Sequence, residues 1–234
     1  MTLQEHLEEL RSRILKCAVA ILLAMIVGLI FSRTILHTIA DQAKVPNGEM
    51  QLISPTEGFV IYFKVALYVG IAIAMPILIF QLLQFVSPGL TSRERRYVYI
   101  SVPFITLMFA AGVAFAFFVL APRALDFLQG FSSDIFQWNP RAEELISFYL
   151  TLMLGMGLIF ELPIVMYSLA LIGVMTAQRY GRIRKAALIM SMIVSAIVTP
   201  TPDPFNMMLV AIPTYGLYEV GILLSRTVRR GARA

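Results

Sequence analysis

Glu161 is the only charged side chain between Glu144 and Arg179, a stretch long enough to cross a bilayer. An acid near the middle of a spanning helix costs roughly 2.5–3.5 kcal/mol on insertion scales, so it normally faces a polar cavity, a partner or a pathway. Its surroundings, Gly155-Met156-Gly157-Leu158-Ile159-Phe160-Glu161-Leu162-Pro163, add two features. Pro163 cannot donate to the Ile159 carbonyl, and the two glycines let another backbone come close. The chemistry on offer is hydrogen bonding or proton carriage inside a membrane.

A second group of acids, Glu5, Glu8, Glu9 and Glu94, lies among basic residues near the N-terminus and in the connection after the second apolar run. Carboxylates there are natural partners for guanidinium groups, which they bind through paired, charge-assisted hydrogen bonds. The same residues also fit a plain structural role. Leu3, Leu7, Leu10 and Ile14 mark one helix face, Thr2 and Glu5 fit a capping box, and Glu9 with Arg13 fits an i,i+4 pair. Lys64 lies close enough to the end of its run to extend its amine outward, and Pro76 in the same run marks a kink. Asp203 fits a turn residue that bonds its own backbone, and Glu219 sits near the end of the last apolar piece.

Several chemistries are disfavoured. The only histidines, His6 and His37, lie outside the apolar runs and no Gly-x-Ser-x-Gly occurs, against an intramembrane serine protease. No Gly-x-x-x-x-Gly-Lys-Ser/Thr is present to hold nucleotide phosphates. The single Cys17 offers neither an internal disulfide nor a metal cluster. No cofactor, metal, enzymatic activity or nucleic-acid partner is expected. An ion-coupled small-solute transporter using Glu161 and Glu219 is the competing function, although no second copy of the Glu161-Leu162-Pro163 feature suggests paired repeats.

The elements that must position these residues are membrane spans. The 234 residues are 59% hydrophobic and 14% charged, with mean hydropathy +0.80, which reads as one polytopic all-α transmembrane domain covering residues 1–234. Apolar runs at about Ile14–Phe31, Phe59–Phe80, Tyr97–Leu120 and Ile146–Ile172 suit the bilayer core. The acidic N-terminus has no cleavage site after it, so the first run is expected to remain as a helix. The last third is expected to hold two short spans around Thr199-Pro200-Thr201-Pro202-Asp203-Pro204, giving six in all. Fourteen of the 19 Lys/Arg residues fall on the side of the N-terminus, so the positive-inside rule places both termini in the cytoplasm. The connections Ser32–Glu57 and Ala121–Leu145 then face outward, with a short helical pattern at Ala124–Phe131.

Four segments resemble a known family. They are His6-Leu7-Glu8-Glu9-Leu10-Arg11-Ser12-Arg13, Phe85-Val86-Ser87-Pro88-Gly89-Leu90-Thr91-Ser92-Arg93-Glu94-Arg95-Arg96, Phe160-Glu161-Leu162-Pro163, and Thr199-Pro200 with Asp203. In this order they are similar to TatC, the multi-pass receptor of the twin-arginine protein translocase. The resemblance implies binding of twin-arginine signal peptides and transport of folded proteins across the bacterial cytoplasmic membrane, driven by the proton-motive force. It assigns Glu9, Arg11, Phe85 and Glu94 to signal recognition and Glu161 to a buried polar position on a concave face. It also implies an oligomeric complex in membrane lipid with single-span partners of the TatA and TatB type, near Thr199 or Thr201, Asp203 and Met207. Met207 departs from the polar residue often found there.

Overall fold

The computed structural model describes residues 3–86, 92–131, 137–171, 173–199 and 203–228, with the side chains of 3–6, 83, 86 and 92–101 outside that description. The described residues are helical, apart from short connections, and contain no strand. Helix α1 (Leu3–Gln42) runs 40 residues, about 60 Å at 1.5 Å per residue, well beyond the expected end at Phe31. Polar residues Arg33, Thr34, His37, Thr38 and Asp41 suggested a loop, yet all five lie on the exposed side of the continuing helix. Its other side buries Ala24, Gly28, Ser32, Leu36, Ile39 and Ala40, a stripe at helical spacing.

That stripe packs against α2 (Glu57–Val86), which contains Pro76 without ending there. Glycine sets the approach. A Cβ on Gly28 would stand 2.5 Å from the Ala66 carbonyl oxygen, and one on Gly70 would stand 2.9 Å from the Met25 nitrogen. The paired positions rise on one helix as they fall on the other, so the two run antiparallel. Small residues of this kind let helices pack in a bilayer, where hydrophobic burial alone gives no preference for protein over lipid.

Helix α3 (Ser92–Phe115) passes through a wide π turn, Ala116–Leu120, into α4 (Ala121–Gly130). Pro122, at the start of α4, has no N–H for the Phe118 carbonyl, and the wide turn immediately precedes it. Gln42 Nε2 donates to the Phe117 oxygen at 3.0 Å, tying the turn to the end of α1. Trp138 Nε1 and Gln129 Nε2 both donate to the Ala43 oxygen at 3.1 Å, so α1, α4 and the segment before α5 close one end of the bundle. The expected helix at Ala124–Phe131 is therefore present, begun slightly earlier by Pro122.

Helices α5 (Ala142–Phe160) and α6 (Leu162–Leu171) form the fourth span, broken at Glu161. Helix α5 is the most enclosed element, with Ile146, Tyr149 and Met156 fully buried in the main core. Then follow α7 (Ala177–Arg182), α8 (Arg184–Val198) and α9 (Pro204–Thr227). Among the described residues, five helical stretches are long and apolar enough to cross a membrane. Helix α8, at 15 residues, is the short sixth; α9 runs 24 residues, continuing past its uncharged part through Glu219, which is ion-paired with Arg184.

Candidate functional site

The break in the fourth span follows from Pro163. With no N–H at position 163, the chain closes a tighter turn in which Glu161 N–H bonds the Leu158 oxygen at 3.1 Å. The Glu161 carbonyl then accepts from Ile164 and Val165 at 3.1 and 3.0 Å, restarting the helix as α6. Glu161 is 9% exposed, and neither carboxylate oxygen has a hydrogen-bond partner among the described residues. It faces the α3 backbone at Phe109 without reaching bonding geometry.

The glycines before it seat the neighbouring helices. A Cβ on Gly155 would meet Val198 of α8 at 2.5 Å, and one on Gly157 would meet the Phe109 ring of α3 at 2.6 Å. Gly112 of α3 lies against the Met156 oxygen and Gly157. The expected close backbone approach is thus present at Gly157, against Gly112 of α3, whereas Gly155 seats the Val198 side chain of α8. Beside it, Ala72, Ile73, Ala110, Val113, Phe117 and Met153 line an apolar depression of about 410 Å³ between α2, α3 and α5.

At the end of the bundle carrying the N-terminus, Arg13 joins α1 to α2. Its guanidinium bonds Glu9, with Nε at 3.0 Å from Oε1, and reaches Gln81 at 3.2 Å and Gln84 at 2.6 Å. The i,i+4 pair that the spacing allowed is therefore formed. Glu9 and Phe85 are half-buried, whereas Arg11 is exposed beside Glu8, Ser12, Leu15 and Lys16 along an outward groove. Glu94 falls in the first turn of α3, with its side chain outside the described residues, as is the whole of 87–91.

Between α8 and α9, Thr199 is buried at the C-cap of α8 and donates to the Ser195 oxygen at 2.8 Å. Asp203 caps α9: Oδ1 accepts from Asn206 N–H at 2.7 Å and Oδ2 from Asn206 Nδ2 at 2.8 Å. The local turn-bonding role expected for Asp203 is thus realised. Met207 is half-buried one turn along, and Thr201 lies outside the described residues. Glu219 accepts both Arg184 Nε and Nη2 at 2.7 Å and Tyr215 Oη at 3.1 Å, which explains how α9 carries a carboxylate.

One polar cluster had no sequence signal. Glu57, 4% exposed, accepts from Ile53 N–H at 2.8 Å, Ser54 N–H at 3.1 Å, Arg141 Nε at 3.1 Å and Glu143 N–H at 3.3 Å. The hydrogen bond from Arg141 to Glu57 raises the arginine above its ordinary pKa. Lys64 extends to the same end, donating to Ser147 Oγ at 2.7 Å. Partners 84 residues apart cannot be paired by spacing.

Apolar helices, glycine-seated crossings and an acid buried at a helix break define a polytopic helical membrane protein. No group of metal-binding side chains occurs among the described residues. The family model for the Sec-independent protein translocase protein (TatC) matches residues 5–213, and the chain belongs to that family, a non-enzymatic membrane component of a protein translocase. TatC of Carboxydothermus hydrogenoformans is 35% identical over 98% of this chain and 94% of its own length. TatCy of Bacillus subtilis is 30% identical over 100% and 92%. A crystal structure of the twin-arginine translocase receptor TatC superposes with a TM-score of 0.84 at 33% identity, covering 96% of this chain and 100% of that one.

Proposed function

We propose that this chain is the receptor subunit that binds twin-arginine signal peptides and organises the transport of folded proteins across the bacterial cytoplasmic membrane. The observation that carries the binding surface is the bond from Arg13 to Gln84 at 2.6 Å, which brings the start of α1 beside the end of α2. Glu9, Arg11 and Phe85 thereby share one end of the bundle, and Glu94 begins α3 a few residues further along the chain. Glu9 bonds the guanidinium of Arg13, which supports its carboxylate as a suitable acceptor for the arginine side chains of a signal. Fourteen of the 19 Lys/Arg residues support termini in the cytoplasm, the side on which signal peptides are made.

Glu161 serves as the intramembrane polar site, presented to an inserted signal peptide or a partner helix. Single-span subunits of the TatA and TatB type dock near Thr199 or Thr201, Asp203 and Met207, where α8 and α9 join. The test is direct binding of a labelled twin-arginine peptide to the purified chain, compared with its Lys-Lys version. Preferential binding of the Arg-Arg peptide supports the reading; equal binding of the two overturns it.

A further inference from the structure

Helices α7 and α8 and the last turn of α9 carry five cations at one end of the bundle: Arg179, Arg182, Arg184, Lys185 and Arg226. Among the described residues, Arg184 alone of these forms an ion pair, with both oxygens of Glu219, while Arg226 lies near enough to the same carboxylate to act on it electrostatically. From residue 162 onward the sequence holds two acids, Glu219 and Asp203, and Asp203 caps the far end of α9. Arg179, Arg182, Lys185 and Arg226 are exposed and form no ion pair with a described residue.

Their platform is fixed. Tyr218 Oη of α9 donates to the Tyr180 oxygen of α7 at 2.7 Å, while Tyr180 Oη donates to the Met166 oxygen of α6 at 3.3 Å. The antiparallel match of Arg184 with Glu219 sets α7 beside the last turns of α9. Apolar surface follows directly: Ile189 and Met192 share a face of α8 with Lys185, and Leu223 lies one turn before Arg226. Ile189 is 59% exposed and Leu223 56%.

We propose that this collar binds the headgroup phosphate of an anionic phospholipid, whose acyl chains lie along the exposed faces of α8 and α9. Charge complementarity and the adjoining apolar stripe select the ligand together. A soluble anion would use only the cations, and a zwitterionic lipid would gain little from exposed cations that form no ion pair with a described residue.

The test uses the full chain in nanodiscs of phosphatidylcholine alone or mixed with phosphatidylglycerol, reading the thermal midpoint and the lipid retained after extraction. The parent is expected to gain midpoint with phosphatidylglycerol and to retain that lipid selectively. Arg179→Gln/Arg182→Gln/Lys185→Gln should lose about tenfold or more of the selectivity, since each basic residue near an anionic surface contributes roughly fivefold. Arg33→Gln/Arg123→Gln, which removes exposed cations at the opposite end, should keep it. Arg179→Lys/Arg182→Lys should also keep it, separating charge from damage to the fold. Undiminished selectivity in the triple variant would overturn the proposal, as would equal loss in the Arg33/Arg123 control. Inorganic phosphate that stabilises the phosphatidylcholine sample as much as phosphatidylglycerol does would also overturn it.

Discussion

Arg141 and Glu57 meet at 3.1 Å across 84 residues of sequence, and the carboxylate they share with three backbone N–H groups is nearly sealed from solvent. Glu57→Gln replaces an acceptor-only group with one that presents an amide donor to other donors. The thermal midpoint should fall by about 5 °C. Arg141→Gln, which leaves the three backbone donors satisfied, should cost less. If the order is reversed, the backbone bonds are not what the acid is there to supply.

Gly112 packs so closely on α5 that an added Cβ would stand 2.5 Å from the Met156 oxygen. Gly112→Ala must therefore push α3 away from α5, at a cost of about 1–3 kcal/mol. Gly216 in α9 has no atom within 4 Å of that position, so Gly216→Ala should be neutral or slightly stabilising. Equal effects of the two substitutions on unfolding would remove the packing argument.

Glu9 and Glu94 are proposed to take the arginine pair of the signal. Each Gln variant should weaken binding of the twin-arginine peptide about fivefold or more, with the loss shrinking as salt rises. Arg13→Gln should also weaken that binding, because it loosens α1 from α2 and so separates Glu9 and Arg11 from Phe85. Parent-like binding by both Gln variants at low and physiological salt would sink the assignment.

Glu161 is a buried acid whose oxygens lack partners among the described residues, so stability and function should separate there. Glu161→Leu is expected to insert normally and gain about 2 kcal/mol of stability, yet lose transport. Glu161→Gln should retain part of the activity if the group acts by hydrogen bonding. Full transport by the Leu variant would show that the acid is dispensable.

Orientation is checked by labelling in a Cys17→Ser background. Glu49→Cys, exposed between α1 and α2, should react with an impermeant thiol reagent added outside cells, whereas Ser92→Cys should not. The opposite pattern would invert the protein in the membrane.

Hydropathy made the long spans legible, and Pro163 marked the break at Glu161, because both signals are local to the chain. The reach of α1 to Gln42 was hidden by Arg33, Thr34, His37, Thr38 and Asp41, although Leu36, Ile39 and Ala40 carried the helical spacing throughout. Glu219 was visible as an acid in an apolar run, but its partner Arg184 was not, since that pairing depends on how α8 meets α9. The Glu57 cluster was invisible for the same reason. At the N-terminal end, the i,i+4 spacing exposed the Glu9–Arg13 pair but not the crossing to Gln84.

Helix α1 is held to α2 at Arg13, Gly28 and Ser32, the last donating toward the Tyr62 oxygen at 3.4 Å. If the two helices tilt as one antiparallel beam, Gly28 is a reference point along it from which the α1 arm is measured. From there to Leu3 is 25 residues, an arm of about 38 Å, so rocking the beam by about 5° moves its tip by about 3 Å. A shift the size of one hydrogen bond at the tip thus demands only a slight tilt of the beam, with no change in its internal packing.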